Sequence, residues 1–332
     1  ATGPGSAILG SLLFSALFSS PMSLKFLLRV AGTLLLAWAA AAACVALHTP
    51  LPWMLGPLVA TSVLSMAGAP TESWGPLRNG GQWAIGAALG LYFTPEVSAL
   101  VGSLWWAIVL GIGWALLLGW GFGAWLYRLH APRMHGVPAS MLRSTSYFAG
   151  AIGAASEMTL LSERENARTD LVAASHSLRL LIVTITIPFA LQWSGLQGLD
   201  ILIPTVRDVS WPGLALLALL TGAGALVMDR LGRANPWFMG AMLVSMAVTM
   251  AGLHLSAVPQ AVVNAAQLVI GVSLGVRFRA EFLHTAPRWL ASVAVGTFGL
   301  MGICAAFAAV LAWATGLPWV TLLLGTSPGG IT

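Results

Sequence analysis

One apolar stretch of this chain occurs twice, and that constrains its fold more than any other feature. LPWMLGPLVATSVLSMAG returns as NPWFMGAMLVSMAVTMAG, so that Pro52, Trp53, Gly56 and Gly68 recur as Pro236, Trp237, Gly240 and Gly252, a displacement of 184 positions (236 − 52). GQWAIGAALGLYFTPE is answered in the same way by AQLVIGVSLGVRFRAE. Here Gln82, Ile85, Gly86, Leu89, Gly90, Phe93 and Glu96 come back as Gln267, Ile270, Gly271, Leu274, Gly275, Phe278 and Glu281, displaced by 185 (267 − 82). Many membrane proteins that move solutes are built from such duplicated apolar units.

Composition gives the class. Hydrophobic residues make up 58% of the chain and charged residues 8%, with a mean hydropathy of +0.87. That leaves too little polar surface to cover a soluble globule, so the chain reads as a polytopic membrane protein. The net charge of +5 is scattered singly between apolar runs, which fits topology signals and excludes a nucleic-acid-binding stripe. Cys44 and Cys304 fall inside apolar runs and imply neither a disulfide nor a metal site.

A transmembrane helix needs about 20 apolar residues. Candidate spans lie at 24–48, 51–68, 80–94, 98–127, 168–192, 210–228, 236–252, 261–277 and 288–314. The Gly-rich runs at 80–94 and 261–277 are short enough to be thin crossings or broken helices. The segment SMLRSTSYFAGAIGAASEMTLLSERENAR is apolar but rich in Gly, Ala and Ser, a pattern expected of a re-entrant hairpin. The division is a segment 1–23, a first membrane repeat 24–192, a linker 193–209 and a second repeat 210–332. Segment 1–23 has no basic residue ahead of its apolar stretch and reads as interfacial or partial, not as a signal peptide.

Lys and Arg collect in short cytoplasmic loops. Lys25 and Arg29 place the amino terminus inside, with Arg78, Arg128, Arg133 and Arg143 on the same side. The turn HTPLP before Trp53 has no basic residue, while its equivalent DRLGRAN has Arg230 and Arg233; FTPEV has none, while RFRAEFLHTAPR has three. The basic loop at 128–143 is matched by the uncharged ATGLPWVT. The charge bias therefore reverses between the copies, as in inverted-topology repeats of about five spans and one Gly-rich hairpin each. Arg207, placed outside by this scheme, is the exception. FAGAIGAASEM aligns with LLGTSPGGIT at the carboxyl end, so the counterparts of Glu157 to Gln192 are missing and the second repeat is expected to be truncated.

LPWMLGP, GQWAIGAALG, NPWFMGAML, AQLVIGVSLG and TSPGGIT resemble the AbrB family of integral membrane proteins, which carry two PW-x-x-G units and an SPGG-type segment. The first hairpin departs from the family pattern, with AGAIGAASEM in place of a PGG run before Ser-Glu-Met. Family names point to regulation of gene expression or to ammonia monooxygenase. The six histidines include no pair on one helical face within a span, so a metal and dioxygen site is not expected. No helix-turn-helix or basic helix is present, so any effect on transcription is expected to be indirect.

Candidate site residues are the polar groups expected inside the bilayer, where a charge costs about 2.5 to 3.5 kcal/mol. Ser156 and Glu157 follow the Gly-rich turn. His176 and Arg179, three residues apart, share one helical face, and Arg179 lies near the midplane. Glu157 and Arg179 are expected to face each other, with His176 as a proton carrier; the same trio also fits a buried ion pair that only fixes the hairpin. Thr326, Ser327, Gly329 and Gly330 could line the opposite side of a substrate site, or form a tight turn. Gln82, Asn264 and Gln267 are pathway-lining candidates, with hydrogen bonding between helices as the alternative. The expected function is secondary transport of a small solute, with a lean toward organic anions, by alternating access; the alternative is a membrane-bound sensor or regulator. No enzymatic activity and no cofactor are expected. The partners are the lipid bilayer, a small solute with or without a coupling ion, and a second copy in a homo-oligomer. The expected location is the bacterial inner membrane with a cytoplasmic amino terminus.

Overall fold

The computed structural model describes residues 23–132, 137–153, 155–195, 208–278 and 286–327, the side chain of Ser156 aside. Every regular element in them is a helix. The first group is α1 (Leu24–Ala46), α2 (Pro52–Met66), α3 (Gly75–Gly90) and α4 (Pro95–Ser103). Next come α5 (Trp105–His130), α6 (Ala139–Gly150), α7 (Ala155–Arg164) and α8 (Thr169–Ser194). The second group is α9 (Trp211–Arg230), α10 (Pro236–Met250), α11 (Gln260–Gly275), α12 (Pro287–Thr315) and α13 (Trp319–Thr326).

Local chemistry sets these boundaries. Ser23 and Thr94 accept from the backbone N–H three residues on, capping α1 and α4. Pro52 and Pro236 open α2 and α10, where a missing N–H does no harm. Each follows a residue in the left-handed region, Leu51 at φ 43° and Asn235 at φ 47°, again 184 positions apart. Among the described residues, five helices are long and apolar enough to cross a membrane, and α3 with α4, bent by 82°, would make a sixth span. The chain is thus an integral, polytopic membrane protein. One expectation changes in detail. The span foreseen at 98–127 breaks at Leu104, where α4 ends and α5 begins. The short Gly-rich runs lie in 16-residue helices, thin for a crossing, and the first of them is separated from α4 by the 82° bend.

The helices form two bundles. In the first, α1 packs on α2, α2 on α11, α11 on α3, α3 on α10 and α10 on α9. The third helix of each copy therefore packs on the second helix of the other. A side chain at Gly86 would strike the backbone of Phe238, and one at Gly271 that of Met54. Those contacts are equivalent in the duplicated sequence. Within the copies, Gly56 abuts Ala40 and Ala41, while Gly240 abuts Gly224 and Ala225. Ser245 donates to the carbonyl of Ala87 at 2.8 Å and the Trp83 indole to Thr221 at 3.0 Å, tying α3 to α10 and α9.

The second bundle packs α5, α6, α8 and α12 around Phe122, Leu126, Leu142, Leu171, Trp289 and Val293. Here the Trp289 indole donates to Ser175 at 2.8 Å. His130 hydrogen-bonds Ser292 at 3.1 Å and its ring lies 4.8 Å from that of Trp289. α8 joins the bundles, laying Leu180, Leu181, Ile185 and Phe189 against Leu55, Leu58 and Leu274. Beside this seam lies a cavity of about 290 Å³, lined among others by Met66, Phe278, Ser177, Leu181, Leu290 and Ala294.

Candidate functional site

Helix α6 stops at Gly150, the chain is non-helical over 151–153, and α7 begins at Ala155. The chain then returns to where it started: the backbone N–H of Arg168, just before α8, donates to Thr145 Oγ1 in the middle of α6 at 2.9 Å. α6 and α7 thus form a compact excursion whose tip carries the end of one helix and the start of the next. Gly150 lets this excursion sit on α5, since a side chain there would overlap the backbone of Gly123.

Arg179, 2% exposed, reaches the tip from α8. Its guanidinium donates to the carbonyls of Gly150 at 3.1 Å and Ala151 at 2.8 Å. These belong to the end of α6, whose last carbonyls have no partner inside the helix and carry its negative dipole end. A third bond runs from Arg179 to His176 Nδ1 at 3.0 Å, and His176 Nε2 lies 2.8 Å from the carbonyl of Phe148. This network assigns the tautomer: Nε2–H donates to Phe148 and Nδ1 accepts from Arg179.

One expectation is corrected by this geometry. Glu157 does not form an ion pair with Arg179; among the described residues the ion pairs are Arg29–Glu72 at 3.9 Å and Arg168–Asp170 at 2.5 Å. Glu157 sits instead in the first turn of α7, where a carboxylate complements the positive dipole end. His176 has both ring nitrogens engaged, by Arg179 and by the carbonyl of Phe148.

The other candidates are dispersed. Gln82 is buried two turns into α3, where its amide donates to Asn235 Oδ1 at 3.3 Å, joining α3 to the start of α10. Gln267 is half-buried. Asn264 accepts from Gln260 at 2.9 Å and lines an open apolar groove with Trp38 and Trp53. Thr326 and Ser327 bond back to the carbonyls of Leu322 and Leu324. Ser156 is the second residue of α7, with its side chain outside the described part. Gly329, Gly330, the 1–22 segment, residues 196–207 with Arg207, and Glu281 also lie outside the described residues. Sequence reasoning missed the carbonyls of Phe148, Gly150 and Ala151, and the seam cavity.

The duplicated sequence has relatives among known proteins. Residues 53–332 match a family described as "Transition state regulatory protein AbrB". The chain belongs to the AbrB family. It is 26% identical to an Escherichia coli (strain K12) protein described as "Putative regulator AbrB", over 86% of this chain and 80% of that one. No solved structure matches significantly. Among the described residues of this AbrB-family protein, no group of three or more His, Cys, Asp and Glu side chains gathers as metal ligands would.

Proposed function

We propose that this AbrB-family protein is a secondary transporter of a small solute, with organic anions the preferred class, and not an enzyme. The observation that carries this reading is Arg179: a buried guanidinium, held by carbonyls at the tip of an interrupted helix, with no carboxylate paired to it among the described residues. Arg179 is the eleventh residue of α8, about 15 Å from its start and so well inside a hydrocarbon core of about 30 Å. A positive charge at that depth is costly, and ionisable residues kept inside a span commonly mark solute pathways. Ser156, Glu157, Thr326 and Ser327 are proposed to complete the site around it.

Alternating access needs two bodies and a seam. The two bundles, bridged by α8 and flanked by the cavity of about 290 Å³, supply both. The exchanged packing of α3 on α10 and α11 on α2 supports two repeats related by a pseudo-two-fold axis, and the reversed charge bias of their loops supports their inversion. The return of the chain to Thr145 supports a re-entrant hairpin. On this reading the amino terminus is cytoplasmic and the membrane is the bacterial inner membrane. The regulator names favour a second reading, in which a solute is sensed and does not cross.

The test is reconstitution into liposomes with entrapped or external small carboxylates. Arg179→Lys, which keeps the buried charge but loses the fork, should fold and lose most of its flux. A solute that stabilises wild type against heat but never crosses would replace transport with sensing.

A further inference from the structure

Away from the hairpin tip, a second polar site opens on the outer face of the second bundle. Between α5 and α6 lies a cavity of about 330 Å³ lined by Trp120, Gly123, Ala124, Tyr127, Arg128, Arg143 and Tyr147. Arg143 and Tyr147 lie one turn apart on the exposed face of α6, opposite the buried Leu142, Thr145 and Ala149. Gly123, in close contact with Ser146 and Tyr147, closes the floor where the two helices meet. No carboxylate lines the cavity, and among the described residues neither arginine takes part in an ion pair.

The vertical arrangement is informative. α5 has 26 residues, about 39 Å at 1.5 Å per residue, longer than a hydrocarbon core of about 30 Å, so its ends reach headgroup depth. Arg128 is in its last turn. Trp120 lies eight residues earlier, about 12 Å deeper. Trp120, Leu116 and Leu117 are all exposed on this face, which places the inner part of the cavity against acyl chains. Two guanidiniums at phosphate depth, tyrosines beside them and an indole below follow the outline of a phospholipid from phosphate to chain. Arginine suits such a ligand because its planar fork binds phosphate oxygens bidentately.

We infer that the cavity between α5 and α6 binds the phosphate of an anionic phospholipid, with Arg128 and Arg143 as its anchors and Trp120 against its chain. The site is separate from the Arg179 network and does not depend on transport. Basic pockets between transmembrane helices are known to hold anionic headgroups.

Native mass spectrometry of the delipidated full chain tests this. The probes are phosphatidylglycerol, phosphatidylcholine and inorganic phosphate, added separately. Phosphatidylglycerol should be retained in preference to phosphatidylcholine, and inorganic phosphate should not displace it. Removal of each arginine should weaken retention about fivefold, and of both about 25-fold, at roughly one surface charge each. Arg128→Gln and Arg143→Gln alter exposed side chains, so monodisperse elution should be unchanged; Trp120→Ala, which keeps both charges, should weaken the lipid alone. Equal retention of phosphatidylcholine, or unchanged binding in the doubly substituted protein, would overturn the proposal. Displacement of the lipid by inorganic phosphate would also overturn it, making the cavity a free-anion site.

Discussion

At the scale of single residues, Arg179 acts first as a cap. Removing it strands the carbonyls of Gly150 and Ala151 away from water, a loss of roughly 1 to 3 kcal/mol for each unsatisfied group. Arg179→Ala should therefore lower the melting temperature in detergent markedly. Glu157→Gln should not: with no ion pair to break, its effect should stay within about 0.5 kcal/mol. A buried Glu157–Arg179 pair would instead cost about 3 to 5 kcal/mol when halved, so one melting curve separates the two arrangements. The sequence does show that Arg179 and His176 share a face, since their spacing is helical. It does not show their partners, because backbone carbonyls freed by a helix break have no letter of their own.

Among the elements, the repeated glycines behave as contact points. Gly86 and Gly271 meet backbone of the opposite copy, where nothing can move aside, so Gly86→Val or Gly271→Val should abolish monodisperse protein on size exclusion. Gly299 has open space around it, and Gly299→Ala should leave the elution profile unchanged and the melting point equal or slightly raised. Most helices are legible from apolar runs and their proline starts, including the pairing of α2 with α10 by sequence. The break at Leu104 is not, because LVGSLWW is apolar throughout and the bend is decided by packing. Which helix packs on which is equally hidden: similarity between copies says that contacts are equivalent, not that α3 reaches across to α10.

For the molecule as a whole, the proposed inversion has a direct reading. Thr49 and Arg233 are equivalent positions, 184 residues apart, each in the turn before a Pro-Trp helix. With Cys44 and Cys304 replaced, Thr49→Cys and Arg233→Cys should be labelled by an impermeant thiol reagent from opposite sides of the membrane. Labelling from one side would mean parallel repeats.

The exchange of third helices also bears on how the chain is made. Gly86 waits for Phe238, which is synthesised 152 residues later (238 − 86). At about 5 to 20 residues per second, α3 spends roughly 8 to 30 seconds in the membrane before its permanent neighbour exists. The first half is thus an unfinished surface while the second is being translated, so neither half made alone should be stable, and two halves made together would have to find each other in the bilayer.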